Sequence, residues 1–408
     1  MVEIIDGGIT TPQGFKATGV HSGVKYRSLD MGLLYSEVPA TAFMAFTSNN
    51  VKAAPVQLMM NDHSEKISAV IVNSGNANAL TGRRGYEDAQ TMQKAVAAEL
   101  NLDPKTVGVM STGLIGRFMD MPKIKFGISK ACKSLGVGRE FDNLMCEAIM
   151  TTDTIKKECA VRVRLEDGTL VNISMISKGS GMISPHLKAL HGTTLSMITT
   201  DAVLTPAFYP TFQAVLDDTM NMVSVDGDQS TNDTCIMMAN GLAGGKPADE
   251  DPNFLDAMRI LTTKIARTIA MDGEGASKLI TVEVKGAESK EDAKKVIHTV
   301  INSPLVKSAI FGSDPNYGRV MMALGNSGAK FSINDVHLTI KGGDMVVDIL
   351  DSGAPVFQDE RSVEVVRMAM ENKEVILQLD LGVGNASAVG WGCDLTYDYV
   401  RINAEYAT

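Results

Sequence analysis

"AVRVRLEDGTLVNISMISKGSGMISP", residues 160–185, decides how the chain is read. Val161, Val163 and Leu165 alternate with polar residues, the period of a half-buried strand, and Asp167-Gly168 suits a tight primed turn before a returning strand. That strand runs directly into "KGSGMISP" (178–185), where two glycines loosen the backbone beside Lys178. The stretch lacks the Gly-Lys-Thr ending of a phosphate loop and the spacing of a dinucleotide fingerprint, so it is either a turn or a place where the Lys178 ammonium approaches a carboxylate or a reacting carbonyl.

Working outward, helical and strand periods alternate along the chain, which predicts a mixed α/β fold. "YEDAQTMQKAVAAELNLDP" (86–104) spaces Met92, Val96 and Leu100 four apart on one helical face and stops before Asp103-Pro104. "NFLDAMRILTTKIARTIAMDGEG" (253–275) aligns Leu255, Met258, Leu261, Ile265 and Ile269 on one face, with Gly273 and Gly275 just beyond. "DMVVDIL" (344–350) and "EVILQLDLGVG" (374–384) read as strands, and "GKPADEDPN" (245–253) as a surface connection.

The 408 residues suffice for two or three domain-sized units with a well-buried core. A net charge of −10 without a basic block argues against a nucleic-acid or anionic-membrane partner. Five scattered cysteines form no Cys-x-x-Cys pair, which suits buried thiols of a reducing compartment. No long uncharged apolar run is present, so a cytoplasmic location is expected.

The six histidines lie in no nucleophile setting, and His186 and His191 are five apart, unlike a helical metal pair. Asp226, Asp228 and Asp233 resemble a calcium loop but lack its glutamate, so neither metal nor redox cofactor is expected. "MSTGLIGR" (110–117) can aim the Thr112 hydroxyl and the Gly113 amide at a developing oxyanion; it reads equally as a helix N-cap at Ser111 or Thr112. "MTTDT" (150–154) is likewise a cap or a polar pocket wall.

"KALHGTTLSMITTDAVL" (188–204) carries the sharpest chemistry. A helix end followed by a strand would account for its glycine and β-branched residues. Alternatively, the Thr193 hydroxyl attacks the unhindered carbonyl of Gly192, and water then releases a new N-terminal threonine. Its α-amine, with an ordinary pKa of about 7.7 to 8.0, could act as base for its own hydroxyl.

The ordered stretches "VNSGNANALTG", "STGLIGR", "AIMTTDT", "KGSGMISP", "TTLSMITTDA", "STNDT", "DGEGASKLI", "NSPLVKSAIFGSDPNYGR" and "GCDLTYDYVRINAEYAT" together resemble the ornithine acetyltransferase (glutamate N-acetyltransferase) family over essentially the whole chain. The resemblance implies self-cleavage at Gly192-Thr193 into an α chain, 1–192, and a β chain, 193–408, assembled as α2β2. It implies a two-lobed mixed α/β fold with the N-terminal threonine nucleophile in the cleft between lobes. Thr193 would be the nucleophile, Thr112 and Gly113 the oxyanion pair, and Thr151, Lys178, Thr193, Glu274, Asn403 and Thr408 the substrate contacts.

The implied reaction is ping-pong transfer of acetyl from N-acetylornithine to glutamate through acetyl-Thr193, with no cofactor; some members of the family also take acetyl-CoA. This sequence departs from the family in placing seven residues, "HLKALHG", between Pro185 and Thr193 where about three are usual. Two rivals share some of these features: an N-terminal-nucleophile amidohydrolase or aminopeptidase that passes the acyl group to water, and an uncleaved ligand-binding protein without catalysis.

Overall fold

The computed structural model describes residues 2–184, 194–356 and 360–405. Among them the strands are β1 (Val2–Ile5), β2 (Phe15–Val20), β3 (Met31–Phe46), β4 (Lys66–Asn76), β5 (Val107–Leu114), β6 (Lys157–Arg164), β7 (Leu170–Lys178) and β8 (Leu195–Ala202). They continue as β9 (Val223–Ser224), β10 (Thr234–Gly244), β11 (Leu279–Ala287), β12 (His337–Gly342), β13 (Met345–Asp351), β14 (Ala354–Pro355), β15 (Glu374–Asp380) and β16 (Ala386–Cys393). Helices intervene throughout, so the mixed α/β expectation holds. The chain divides into two compact units: the described parts of Met1–Gly179, Pro185–Asn221 and Gln229–Ile265, and those of Ser180–Ser184, Met222–Asp228 and Ala266–Thr408.

The first unit holds a nine-stranded sheet in the order β1-β6-β7-β8-β10-β3-β4-β5, with β2 added to β3. β4 explains its own central place: Ala69, Val70, Ile71 and Val72 are consecutive and all buried, and such an apolar run suits a strand covered on both faces. One layer of core, around Leu34, Val70, Val72 and Ile149, lies on one side of it. The other, around Ile71, Val109, Met92 and Val96, joins β4 and β5 to the helix Gly82–Leu100. That helix follows the predicted stripe and ends on Asn101 in the left-handed conformation, φ 54°.

The quoted hairpin is β6–β7, paired antiparallel from Arg164↔Leu170 to Lys157↔Ser177. Its turn differs from the expectation. A primed type I turn needs two consecutive positive-φ residues, yet only Gly168 has one, 90°. The Leu165 N–H instead donates to the Thr169 carbonyl at 2.8 Å, closing a three-residue connection. Asp167 is held out of the left-handed region by accepting N–H bonds from Thr169 and Lys246, both at 2.8 Å.

β7 pairs antiparallel with β8 on its other edge, placing Lys178 opposite Leu195. The expected α and β chains would therefore share this sheet. Ser111 and Thr112 lie inside β5, whose Val107 and Val109 are buried against β4, so the helix-cap alternative does not hold.

The second unit holds a seven-stranded sheet, β14-β13-β12-β15-β11-β16-β9. It contains the two predicted C-terminal strands as β13 and β15. Among the described residues no helix is long and apolar enough to cross a membrane.

Candidate functional site

In the first unit, β4 and β5 run parallel and end side by side, with Ser74 beside Thr112 and Gly75 beside Gly113. Gly113 has φ 128°, and a Cβ there would overlap the backbone of Gly75 and Asn76. Only glycine fits this close approach. The Thr112 hydroxyl is buried and accepts from the Lys178 ammonium at 3.3 Å. The strand end is pinned by Asn232, whose amide donates to the carbonyls of Ser111 (2.8 Å) and Ala77 (2.6 Å).

Thr151 follows the helix Arg139–Ile149 in a turn closed by Asp153, whose Oδ2 accepts the Thr151 N–H at 3.0 Å. Asp153 Oδ1 accepts from Lys157 Nζ and from the Gly179 N–H, both at 2.7 Å. Its side chain and that of Lys157 are fully buried. Burial alone would push the Asp153 carboxyl up. The ammoniums of Lys178 and Lys157, with the bonds from Lys157 and Gly179, outweigh it and hold the carboxyl down at about 2.

This anchor was not anticipated from the sequence. Its only trace there is an acid inside an otherwise uncharged threonine-rich turn, four residues before a lysine. Through it the turn carrying Thr151 is tied directly to the backbone next to Lys178.

Thr194 opens the next described segment. It is buried with φ 101°, a backbone region that costs a β-branched residue about 1–3 kcal/mol. Its N–H donates to Asp233 Oδ1 at 2.6 Å, its carbonyl accepts from the Thr234 N–H at 2.7 Å, and its hydroxyl shares a bond with Ser196 at 2.9 Å. These bonds hold the strained conformation and occupy the Thr194 hydroxyl. Gly192, Thr193 and Thr408 lie outside the described residues.

"KGSGMISP" is divided between the units: Lys178 and Gly179 belong to the first, Ser180–Ser184 to the second. Within the second, the Ser180 hydroxyl donates to the Asp272 carbonyl at 2.6 Å and the Ser180 carbonyl accepts from the Glu274 N–H at 2.9 Å. A Cβ on Gly181 would overlap the Glu274 carboxyl, so this glycine is required by the close approach of that side chain. Glu274 is buried, and its Oε2 accepts from Asn403 Nδ2 at 2.8 Å, which brings together two of the predicted contacts and ties down the helix Tyr397–Glu405.

The N–H groups of Met182 and Ile183 donate to Asp226 at 2.7 and 2.9 Å, and the Tyr399 hydroxyl to its Oδ2 at 3.4 Å. Burial raises the Asp226 carboxyl despite these N–H bonds. The Tyr399 phenol is raised by burial and by the surrounding carboxylates. Asp226 and Asp233 of the calcium-like loop thus serve as backbone acceptors.

A family model described as the ArgJ family matches residues 16–408. The chain is 42% identical over 410 residues to an arginine biosynthesis bifunctional protein ArgJ of Oceanobacillus iheyensis, covering 99% of this chain and 97% of that one. It is 41% identical over 410 residues to a glutamate N-acetyltransferase of Methanothermobacter thermautotrophicus, covering 100% and 99%. A crystal structure of ornithine acetyltransferase complexed with ornithine, from Mycobacterium tuberculosis, shares 36% identity over 46% of this chain and 100% of that chain, with a TM-score of 0.42.

Proposed function

This chain belongs to the ArgJ family, acyltransferases of arginine biosynthesis, and from that membership we propose that it moves acetyl from N-acetylornithine to glutamate through an acetyl ester on Thr193. The observation that carries the proposal is the 3.3 Å contact between Lys178 Nζ and the Thr112 hydroxyl, beside a glycine that tolerates no side chain. It brings a cation to the hydroxyl that directly precedes the Gly113 amide.

The Thr193 hydroxyl first attacks the Gly192 carbonyl; the C–N bond breaks, leaving an ester and a free α-amine, and water hydrolyses the ester to give the chains 1–192 and 193–408. The neutral amine then takes the proton of its own hydroxyl as the oxygen attacks the acetyl carbonyl of N-acetylornithine. The negative oxygen is met by the Thr112 hydroxyl and the Gly113 N–H. Ornithine departs with the proton, and the neutral amine of glutamate attacks acetyl-Thr193 in the reverse sense to give N-acetylglutamate.

Lys178 receives the substrate carboxylate, Glu274 and Asn403 its ammonium end, and Thr151 and Thr408 line the remainder. On the family resemblance, acetyl-CoA is the proposed second donor, and the proposed assembly is α2β2 and cytoplasmic. The bonds that engage the Thr194 N–H and hydroxyl favour its neighbour Thr193 as nucleophile.

Denaturing mass spectrometry of wild type, Thr193→Ala and Thr194→Ala, with transfer assays, tests this. Two fragments and an acetyl adduct on the new terminus are expected for wild type, one silent polypeptide for Thr193→Ala, and retained cleavage for Thr194→Ala. Full turnover by an unbroken chain would overturn the proposal. Ornithine release indifferent to glutamate would replace transferase by hydrolase.

A further inference from the structure

Asp30, buried in the first unit, accepts the N–H groups of Ser22 (2.6 Å), Gly23 (3.1 Å) and Lys25 (2.9 Å), and so folds "HSGVKYRSLD" (21–30) around its carboxylate. This loop directs Lys25 across the end of β4. The side-chain Cγ of Lys25 covers Gly75, where an added Cβ would come within 3.1 Å of it. Gly75 is the residue whose backbone leaves no room for a side chain on Gly113. The Lys25 ammonium then donates to the carbonyls of Leu29 at 3.1 Å and Met150 at 2.5 Å, and Met150 immediately precedes Thr151.

We propose that Lys25 is a positioning residue for acetyl transfer, holding the Thr151 turn at a set distance from the Thr112–Gly113 end of β5 and adding a second positive charge near Lys178. The assignment rests on the acetyl-transfer reading above. A neutral apolar side chain would leave two carbonyls without their donor and free the turn from the strand.

The charges acting on Lys25 come from each neighbouring element: Asp30, itself 3.5 Å from His21, on its own loop; Asp153, bonded to Lys157, on the turn; and Lys178 on β7. Burial is the largest influence and, with Lys178, brings the ammonium down to about 8 against the pull of Asp30 and Asp153. The charge therefore disappears in mildly alkaline solution, which makes the role visible in a pH profile.

The experiment is kcat/KM for transfer from N-acetylornithine to glutamate, across neutral to alkaline pH, on the self-processed full protein as wild type, Lys25→Arg and Lys25→Met. Wild type should lose activity above about 8. Lys25→Arg should retain transfer with that falling limb moved up by more than one pH unit, because a guanidinium keeps its charge. Lys25→Met should lose about tenfold or more at neutral pH, with the gap to wild type narrowing above about 8 where wild type sheds the same charge, while melting close to wild type, the effect of one charge-assisted bond.

A limb unmoved in Lys25→Arg, or undiminished turnover in Lys25→Met, overturns the assignment. If Lys25→Met fails to fold, the Lys25→Arg limb decides alone. A wild type that transfers no acetyl group sinks the functional reading and this one with it; an active wild type with an unmoved limb sinks this one only.

Discussion

Asp153 in the first unit, its side chain fully buried, and Asp226 in the second, half-buried, both accept backbone N–H groups, yet their carboxyls are displaced in opposite directions. Asp153 has two ammoniums beside it and is held at about 2. Asp226 accepts N–H bonds from Met182, Ile183 and Asp228 and one from a phenol, and burial still raises it. Full charges outweigh peptide dipoles when desolvation must be offset. The proposed binding roles divide along the same line: Lys178 of the first unit is the proposed carboxylate contact, and Glu274 of the second, not ion-paired among the described residues, the proposed ammonium contact.

The widest separation between the two regions should come from Lys178→Ala. Removing the cation bonded to Thr112 should lower kcat/KM for acetyl transfer by roughly 10- to 100-fold, the range for losing a hydrogen bond to a charged group. Circular dichroism should remain that of wild type. A variant that unfolds while turnover per folded molecule is preserved would make the lysine structural.

Asp153→Asn probes the anchor instead of the substrate contact. The folded carboxyl lies at about 2, below its ordinary 3.8. Its contribution to stability, about 2 kcal/mol, is therefore complete above the ordinary value and is lost as pH falls from about 4 toward about 2. The variant should unfold more readily in urea at neutral pH, and the two stability curves should converge in acid. Parallel curves would show that the carboxylate charge is not what holds the turn.

Glu274→Gln should have the smallest effect, about a tenfold rise in KM for glutamate with kcat little altered, because the amide keeps its bond to Asn403 but cannot balance an ammonium. An unchanged KM would remove the second unit's carboxylate from substrate recognition.

Much of the frame was legible in advance because its signals are local. The β6–β7 hairpin announced itself through alternate Val161, Val163 and Leu165, and the helix Gly82–Leu100 through Met92 and Val96. The turn between β6 and β7 was misjudged because the bonds accepted by Asp167, one of them from Lys246 far along the chain, outweigh dipeptide preference. Ser111-Thr112 resembled a cap because hydroxyl residues before glycine serve both purposes; pairing with β4 made it a strand. Glu274 and Asn403 were expected as contacts, but not that Gly181 is needed to make room for the Glu274 carboxyl.

Residue order alone established the alternation of strands and helices, the family, and the candidate residues, since backbone period and motif spacing are properties of neighbours in the chain. Only tertiary structure decided that Lys178 meets a hydroxyl 66 positions away, that Asp153 keeps its charge, and that Lys25 reaches the carbonyl before Thr151. Those facts depend on desolvation and through-space charge, which exist only once distant segments have excluded water together.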